Sequence, residues 1–291
     1  MSNNALALGT FDGLHLGHQR VLAAAAKGSC TPIAVTFAEP PRAVLQQKSH
    51  CCLLLPKQKQ QLLAGWGIQT YYLNFGRVMN TEALDFLTFL KQAFHPVRLV
   101  CGFNYCFGRG AQGNTALLQQ FCRENNIEST VIEAVEQGGV PVSSTQIRRL
   151  IAAGQMPRAN ALLGREFSYS GTVRHGAARG RRLGFPTINL EYPEALVLPA
   201  FGVYAGHAVV DGKTYCAVTN LGHRPTFETG KILSETYIFG FAGNAYGKTA
   251  AVTLAEFIRP EQKFSGETAL REAVERDKQT ALRYFEEHCQ S

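Results

Sequence analysis

Ten residues near the start of the chain, Gly9-Thr10-Phe11-Asp12-Gly13-Leu14-His15-Leu16-Gly17-His18, have the types and spacing that handle phosphate. An apolar run, Ala5 to Leu8, precedes them, and an alanine- and leucine-rich run, Gln19 to Lys27, follows. The pattern predicts a strand, a tight turn and a helix. Gly9 and Gly13 suit the turn, where positive φ or close ligand approach is needed. His15 and His18, three apart, share one face at the helix opening, beside backbone N–H groups and the positive dipole end. Gly17 lets a ligand lie against the backbone between the two imidazoles. Such a set suits a nucleotide whose α-phosphate is attacked while pyrophosphate leaves, with histidines stabilising charge that grows in the transition state. The plainer reading is a strand–turn–helix with two surface histidines.

Other stretches carry polar groups of the same kind. Val142-Ser143-Ser144-Thr145-Gln146-Ile147-Arg148 opens a helix with hydroxyls and a guanidinium, suited to a phosphate or simply to an N-cap and a surface arginine. Gly102 to Gly110 is a glycine- and aromatic-rich loop containing Asn104, Phe107 and Arg109, whose aromatics either meet a ligand or pack inward. Further on, Gly171-Thr172-Val173-Arg174-His175-Gly176 leads into Arg179-Gly180-Arg181-Arg182-Leu183-Gly184-Phe185-Pro186-Thr187-Ile188-Asn189. Its glycines let backbone approach phosphates and its arginines add cationic stabilisation. Thr187 and Asn189, two apart on a strand, point to one face and carry hard oxygen atoms, though by itself Pro186-Thr187-Ile188-Asn189 reads as the start of a strand. Gly243-Asn244-Ala245-Tyr246-Gly247-Lys248-Thr249 resembles a P-loop, but the glycine spacing is one residue short and a strand-like run follows; a hairpin turn is expected there.

The elements that must position these residues fall into two textures. The first half alternates strand-like runs (Pro32–Phe37, Thr70–Phe75, Val97–Cys101, Glu128–Ala134) with helical ones, an order that implies a parallel sheet covered on both faces. Ser143–Ala153 and Met156–Leu163 are expected as two short closing helices. From Phe167 short Val-, Tyr- and Thr-rich runs alternate with glycines, which predicts a small antiparallel β-barrel, with Asp211-Gly212 as a hairpin turn and Thr249–Ile258 as one strand. A C-terminal helix, Thr268–His288, closes it. The expected domains are 1–165 and 166–291. The chain has 291 residues, 45% hydrophobic and 18% charged, which describes an ordinary globular protein. A net charge of +7 favours anionic ligands. Eight cysteines without a C-x-x-C pair argue against zinc and for reduced thiols, and no apolar run is long enough to span a bilayer. A cytoplasmic protein, free of a cleaved leader, is expected.

The opening motif resembles the H-x-G-H signature of the nucleotidyltransferase superfamily. In its fuller form it is similar to the amino-terminal half of bacterial bifunctional riboflavin kinase/FAD synthetases. The resemblance covers about residues 6–284. It implies a Rossmann-like FMN adenylyltransferase domain followed by a riboflavin kinase barrel, with ATP as co-substrate, riboflavin, FMN and FAD as substrates and products, and Mg²⁺. It makes His15 and His18 catalytic for adenylyl transfer, and Gly9, Phe11, Asp12, Gly17, Thr145 and Arg148 ATP contacts. Asn104, Phe107 and Arg109 become flavin contacts. In the second half it implies phosphate contacts at Gly171, Gly176, Arg181 and Gly184, and metal ligands at Thr187 and Asn189. Glu235 matches the family's general base, and Asn220 and Arg271 its flavin contacts. Three positions depart from the pattern: Pro40 stands for a histidine, Tyr237 for a histidine and Gly240 for an aspartate. They leave open a chain keeping only one activity; a flavin-binding regulator or an RNA-binding protein is the alternative of another class. The implied partners are small molecules, with neither nucleic acid nor membrane, in a monomer or weak homo-oligomer.

Overall fold

The computed structural model describes residues 3–38, 40–41, 45, 52–176, 180, 184–223 and 232–288. The chain divides into two compact units, Met1–Ile147 and Arg148–Ser291.

In the first unit five strands, β1 (Asn4–Leu8), β2 (Thr31–Phe37), β3 (Gln69–Leu73), β4 (Pro96–Gly102) and β5 (Glu128–Ile132), form one parallel sheet in the order β3-β2-β1-β4-β5. The central strand β1 is buried along Ala5–Leu8, as a strand covered on both faces must be. Helices α1 (Leu16–Ala25), α2 (Pro56–Gly65), α3 (Phe75–Val78), α4 (Ala83–Phe94) and α5 (Thr115–Glu124) connect the strands. Two apolar clusters cover the sheet. One gathers Leu6, Leu8, Leu87, Leu90 and Leu118; the other gathers Ala5, Ala7, Val21, Leu22 and Leu63. These opposite sets alternate along β1, which is the period of a pleated strand. The chain leaves β1 in one direction, through α1 to β2, and reaches β4 on the other side. The crevice at the C-terminal ends of β1 and β4 is therefore the switch point at which such sheets bind ligands.

A short ribbon, β6 (Glu136–Gln137) with β7 (Val140–Pro141), was not foreseen; it turns on Gly138 and Gly139, both at positive φ. Helix α6 (Ser144–Ala152) then follows, and the division between the units passes through it. The division lies earlier than the boundary expected near Arg165. Helix α7 (Met156–Leu163) accounts for the difference, because it is bound to the barrel unit. Its Asn160 donates to Leu254 O at 2.9 Å and accepts from Phe167 N at 2.8 Å.

The second unit is an antiparallel sheet of β8 (Phe167–Thr172), β9 (Thr187–Glu191), β10 (Gly202–Val210), β11 (Lys213–His223), β12 (Ile232–Ile238), β13 (Thr249–Leu254) and β14 (Glu256–Pro260). The order is β8-β13-β10-β11-β12-β9, with β14 also on β10. The sheet curls until its ends meet: Arg174 N, just beyond β8, donates to Asn189 O on β9 at 2.9 Å. This is the small barrel expected from the sequence. Asp211 and Gly212, both at positive φ, make the β10–β11 hairpin turn. The single strand expected over Thr249–Ile258 is two, β13 and β14. A Cβ on Gly206 would lie 2.1 Å from Thr253 O, so only glycine admits the bend there. The hairpin turn expected at Gly243–Thr249 is also corrected: this segment joins β12 to β13, which are separated by β11 and β10. The strand after it still excludes a P-loop, and Lys248 is engaged by Asp211 at 2.6 Å. Helix α8 (Glu267–His288) packs Ala281 and Phe285 against Val203, Ala205 and Val218.

Candidate active sites

The turn after β1 is built on unusual backbone. Phe11 and Leu14 have positive φ, at 47° and 46°, and Gly13 has 89°. Non-glycine residues pay strain for such angles only where the surroundings over-determine them. Here they do. Phe11 is buried with its ring edge-on to His18, centroids 5.4 Å apart, and a Cβ on Gly9 would lie 3.1 Å from that ring. Asp12 is 2% exposed; its carboxylate accepts from Leu53 N at 2.8 Å and its carbonyl from Ser144 Oγ at 2.9 Å.

The two histidines stack, with centroids 3.6 Å apart and planes 16° from parallel. His15 is the N-cap of α1, its Nδ1 accepting from His18 N at 3.3 Å. That bond assigns Nδ1 as acceptor, leaving Nε2 to carry the proton of a neutral ring. His15 is 6% exposed and His18 is half-buried, so the pair is no solvated surface feature. A Cβ on Gly17 would lie 3.2 Å from the His15 ring, which gives that glycine its local reason.

Ser144 ties the start of α6 to this turn through Asp12. Ser143 caps the helix by accepting from Gln146 N at 3.2 Å. Thr145 is exposed in the first turn, and Arg148 follows three residues on. The loop after β4 leaves the same end of the sheet. Asn104 is exposed in its turn, 3.6 Å from where a Cβ on Gly102 would stand. Phe107, expected at the flavin, packs inward instead. It is 6% exposed, lies against Phe86 and Tyr105, and pairs through its backbone with Gly113. Its ring shapes the loop from within the core. Arg109 is bound by an ion pair to Glu82 and donates its N–H to Thr81 O at 2.7 Å. Pro40 is buried, while most of the stretch after it, including Arg42 and Val44, lies outside the described residues.

A residue that gave no sequence signal sits beneath this turn. Lys59, on α2, is 1% exposed, and its ammonium donates to Thr10 O at 3.0 Å and Phe37 O at 2.8 Å. Burial brings it down to about 8, partly opposed by Asp12 and Cys52, which favour its charged form.

In the barrel, strand register assembles the second set. Asn189 on β9 faces Glu235 on β12, and Glu235 faces Asn220 on β11, so the three lie in one row across neighbouring strands. Thr187, two residues before Asn189, shares their face. The opposite face holds the buried Ile188, Leu190, Thr219 and Thr236, and on the near face Asn189 is buried as well. A Cβ on Gly176 would come within 2.6 Å of the Asn189 amide, so this glycine lets the loop lie directly on it. Gly184 has φ 88°, and Gly171 lies on β8 with its Cβ position 3.8 Å from Glu191 O. Arg181 lies outside the described residues. Arg271 is exposed in the first turns of α8. Tyr237, where histidine was expected, pairs with Thr187 in register and lies under Lys278, whose nitrogen is 5.0 Å from the ring centroid. Gly240 takes φ 68° in the turn after β12.

Beside this row lies a cavity of about 330 Å³ that the sequence did not reveal. Thr187 lines it together with Val173, Ile188, Ile238, Phe241 and Tyr246, and Asn244 adds a polar group. Apolar and aromatic walls with a few placed polar groups suit a nucleobase. Thr187 and Asn189 fit a Mg²⁺ bound together with phosphate: their oxygens are hard and their side chains share a face. Among the described residues no three His, Cys, Asp or Glu side chains form a metal cage.

A switch-point crevice lined by stacked histidines, ahead of a barrel with a Thr/Asn/Glu face, defines a nucleotidyltransferase-like unit joined to a kinase-like one. The comparisons agree. Residues 1–146 match the family model for FAD synthetase, and residues 163–285 match that for riboflavin kinase. The chain is 34% identical to a bifunctional riboflavin kinase/FMN adenylyltransferase of Listeria monocytogenes, over 97% of this chain and 93% of that protein. It is 32% identical to the one of Bacillus subtilis, over 98% and 93%. A solved structure described as a macrolide-efflux protein from Streptococcus pneumoniae superposes with a TM-score of 0.86 at 30% identity, covering 96% of this chain and 94% of that one. The chain belongs to the bifunctional riboflavin kinase/FMN adenylyltransferase family. Among the described residues no helix is long and apolar enough to cross a membrane.

Proposed function

We propose that the barrel unit phosphorylates riboflavin to FMN and that the first unit adenylylates FMN to FAD. The observation that carries this reading is the presence of both side-chain sets, each on its own sheet: stacked His15 and His18 at the switch point, and Asn189–Glu235–Asn220 in one row.

In the kinase step Glu235 accepts the proton of the riboflavin 5′-hydroxyl as its oxygen attacks the γ-phosphorus, and ADP leaves with the electrons of the broken P–O bond. Thr187 and Asn189 would hold Mg²⁺, which would neutralise charge on the phosphate oxygens. Gly171, Gly176, Arg181 and Gly184 border the phosphates, the cavity beside Thr187 takes the adenine, and Asn220 and Arg271 flank the flavin. In the transferase step a phosphate oxygen of FMN attacks the α-phosphorus of ATP in line, and pyrophosphate leaves. His15 and His18 donate to the oxygens on which charge grows. Gly9, Phe11, Asp12 and Gly17 shape that turn, Thr145 and Arg148 supply phosphate contacts, and Asn104 and Arg109 border the flavin. No covalent enzyme intermediate is needed; positioning and charge stabilisation suffice. The protein acts in the cytoplasm as a monomer or weak homo-oligomer on small-molecule substrates.

The test is chromatography of products formed from riboflavin, ATP and Mg²⁺. The intact protein forms FMN first and FAD afterwards. His18→Ala stops at FMN, with adenylylation reduced about 10²-fold or more. Glu235→Gln makes little FMN, a loss of about 10²–10⁴, yet still converts supplied FMN to FAD. If either substitution removes both activities, the two-site assignment fails.

A further inference from the structure

The buried lysine under the first site has a place in the reaction. Its two acceptors belong to different segments: Thr10 lies in the turn after β1, and Phe37 ends β2. Thr10 O takes a second donor, the Thr36 hydroxyl at 2.8 Å, and Thr36 is itself fully buried. In a trans peptide the N–H points opposite to the C=O. Anchoring the Thr10 carbonyl to Lys59 therefore fixes the direction of the Phe11 N–H, at the residue whose ring abuts His18. The groups acting on the ammonium are Asp12, from the turn, and Cys52, from the segment before α2. A buried cation is expensive to keep. This one holds two carbonyls in register immediately behind a turn built for anions, and the Asp12 charge favours its charged form.

We propose that Lys59 is a positioning residue for adenylyl transfer, locking the turn after β1 to the end of β2 and placing a positive charge behind the phosphate-facing turn. The inference rests on the assignment of adenylyl transfer to this site. Two effects are separable. A neutral amine keeps two N–H groups, so deprotonation removes the charge and spares both hydrogen bonds. Lys59→Met removes charge and bonds together.

The experiment measures FMN adenylylation and riboflavin phosphorylation on the same preparations across pH 6–10. The intact enzyme loses adenylylation several-fold through a limb near pH 8. Lys59→Met lowers kcat/KM for adenylylation about 100-fold, as misplacement of a reacting centre does, lacks that limb and keeps its kinase activity. Thr36→Val, nearly isosteric, removes one donor from Thr10 O and lowers adenylylation about fivefold, a loss on the order of 1 kcal/mol, with the limb retained. Full adenylylation in Lys59→Met, or a limb that survives there, overturns the proposal. Should Lys59→Met fail to fold, Thr36→Val decides: unchanged adenylylation overturns it and a selective loss supports it. Failure of the intact protein to make FAD from FMN would instead refute the underlying assignment.

Discussion

A methyl group is the smallest probe of both sites. Gly176→Ala would drive a Cβ to 2.6 Å from the Asn189 amide, which must rotate away from the Thr187–Glu235 face. Riboflavin phosphorylation is expected to fall about tenfold or more, roughly the effect of a small misplacement of reacting groups, while adenylylation of supplied FMN stays unchanged. Gly17→Ala is the mirror experiment. Its Cβ meets the His15 ring at 3.2 Å, close enough to displace the stacked pair by a few tenths of an ångström. Here adenylylation falls and phosphorylation does not, and steady-state assays of each half-reaction check both. The departures at Tyr237 and Gly240 look different at this scale. Tyr237 supports Lys278 from α8 and Gly240 supplies a positive-φ turn, so both have structural work while Asn189, Glu235 and Asn220 keep their row.

Among the elements, α8 has the most specific anchor. Arg259 on β14 grips the buried Asp277 with two bonds, Nε to Oδ1 at 2.8 Å and a terminal nitrogen to Oδ2 at 2.7 Å. Removing one partner of a buried pair leaves the other charge uncompensated. Asp277→Ala is expected to cost about 3 kcal/mol, measured by denaturant unfolding followed through kinase activity. A second anchor titrates. His207 Nδ1 on β10 lies 2.9 Å from Glu166 Oε2, Thr253 also donates to that carboxylate, and the imidazole abuts Phe285 of α8. The hydrogen bond to Glu166 raises the His207 imidazole above its usual 6.5, against burial. Burial alone would raise the Glu166 carboxyl, but its bonds to His207 and Thr253 outweigh that and bring it below 4.5. The histidine's contribution is whole below 6.5 and is lost as pH rises through its folded value; the carboxylate's is whole above 4.5 and is lost as pH falls through its own. The melting-temperature gap between the intact protein and His207→Gln should therefore be widest between about pH 4.5 and 6.5. A gap independent of pH would contradict the pairing.

For the whole molecule, the separate cores matter most. The first unit is organised by clusters on either side of its parallel sheet, and the second by the barrel and α8. A lesion inside one core is expected to spare the other activity, which makes each half-reaction the folding control for the other. Family membership over nearly the full chain agrees with that arrangement. The net charge of +7 suits a protein whose substrates and products are phosphate anions.

The sequence by itself determined the two textures and the main strands and helices, and it marked the candidate site motifs, because these depend on local spacing. Alternation and helical period reveal which faces are apolar, and a motif such as Gly9–His18 needs only neighbours in the chain to be recognised. Glu235 stood out only through its resemblance to a family motif; that it meets Asn189 and Asn220 is a matter of strand register, which no local pattern encodes. Tertiary structure alone decided where the compact units divide, because Asn160 reaches Leu254 from a helix that local pattern assigned to the other half. It also turned Phe107 into a core ring and broke the last expected strand opposite Gly206. Lys59 is the clearest case. In Pro56-Lys57-Gln58-Lys59-Gln60 it reads as one more solvated cation, and only the turn after β1 and the end of β2, distant in the chain, give its ammonium two carbonyls in place of water.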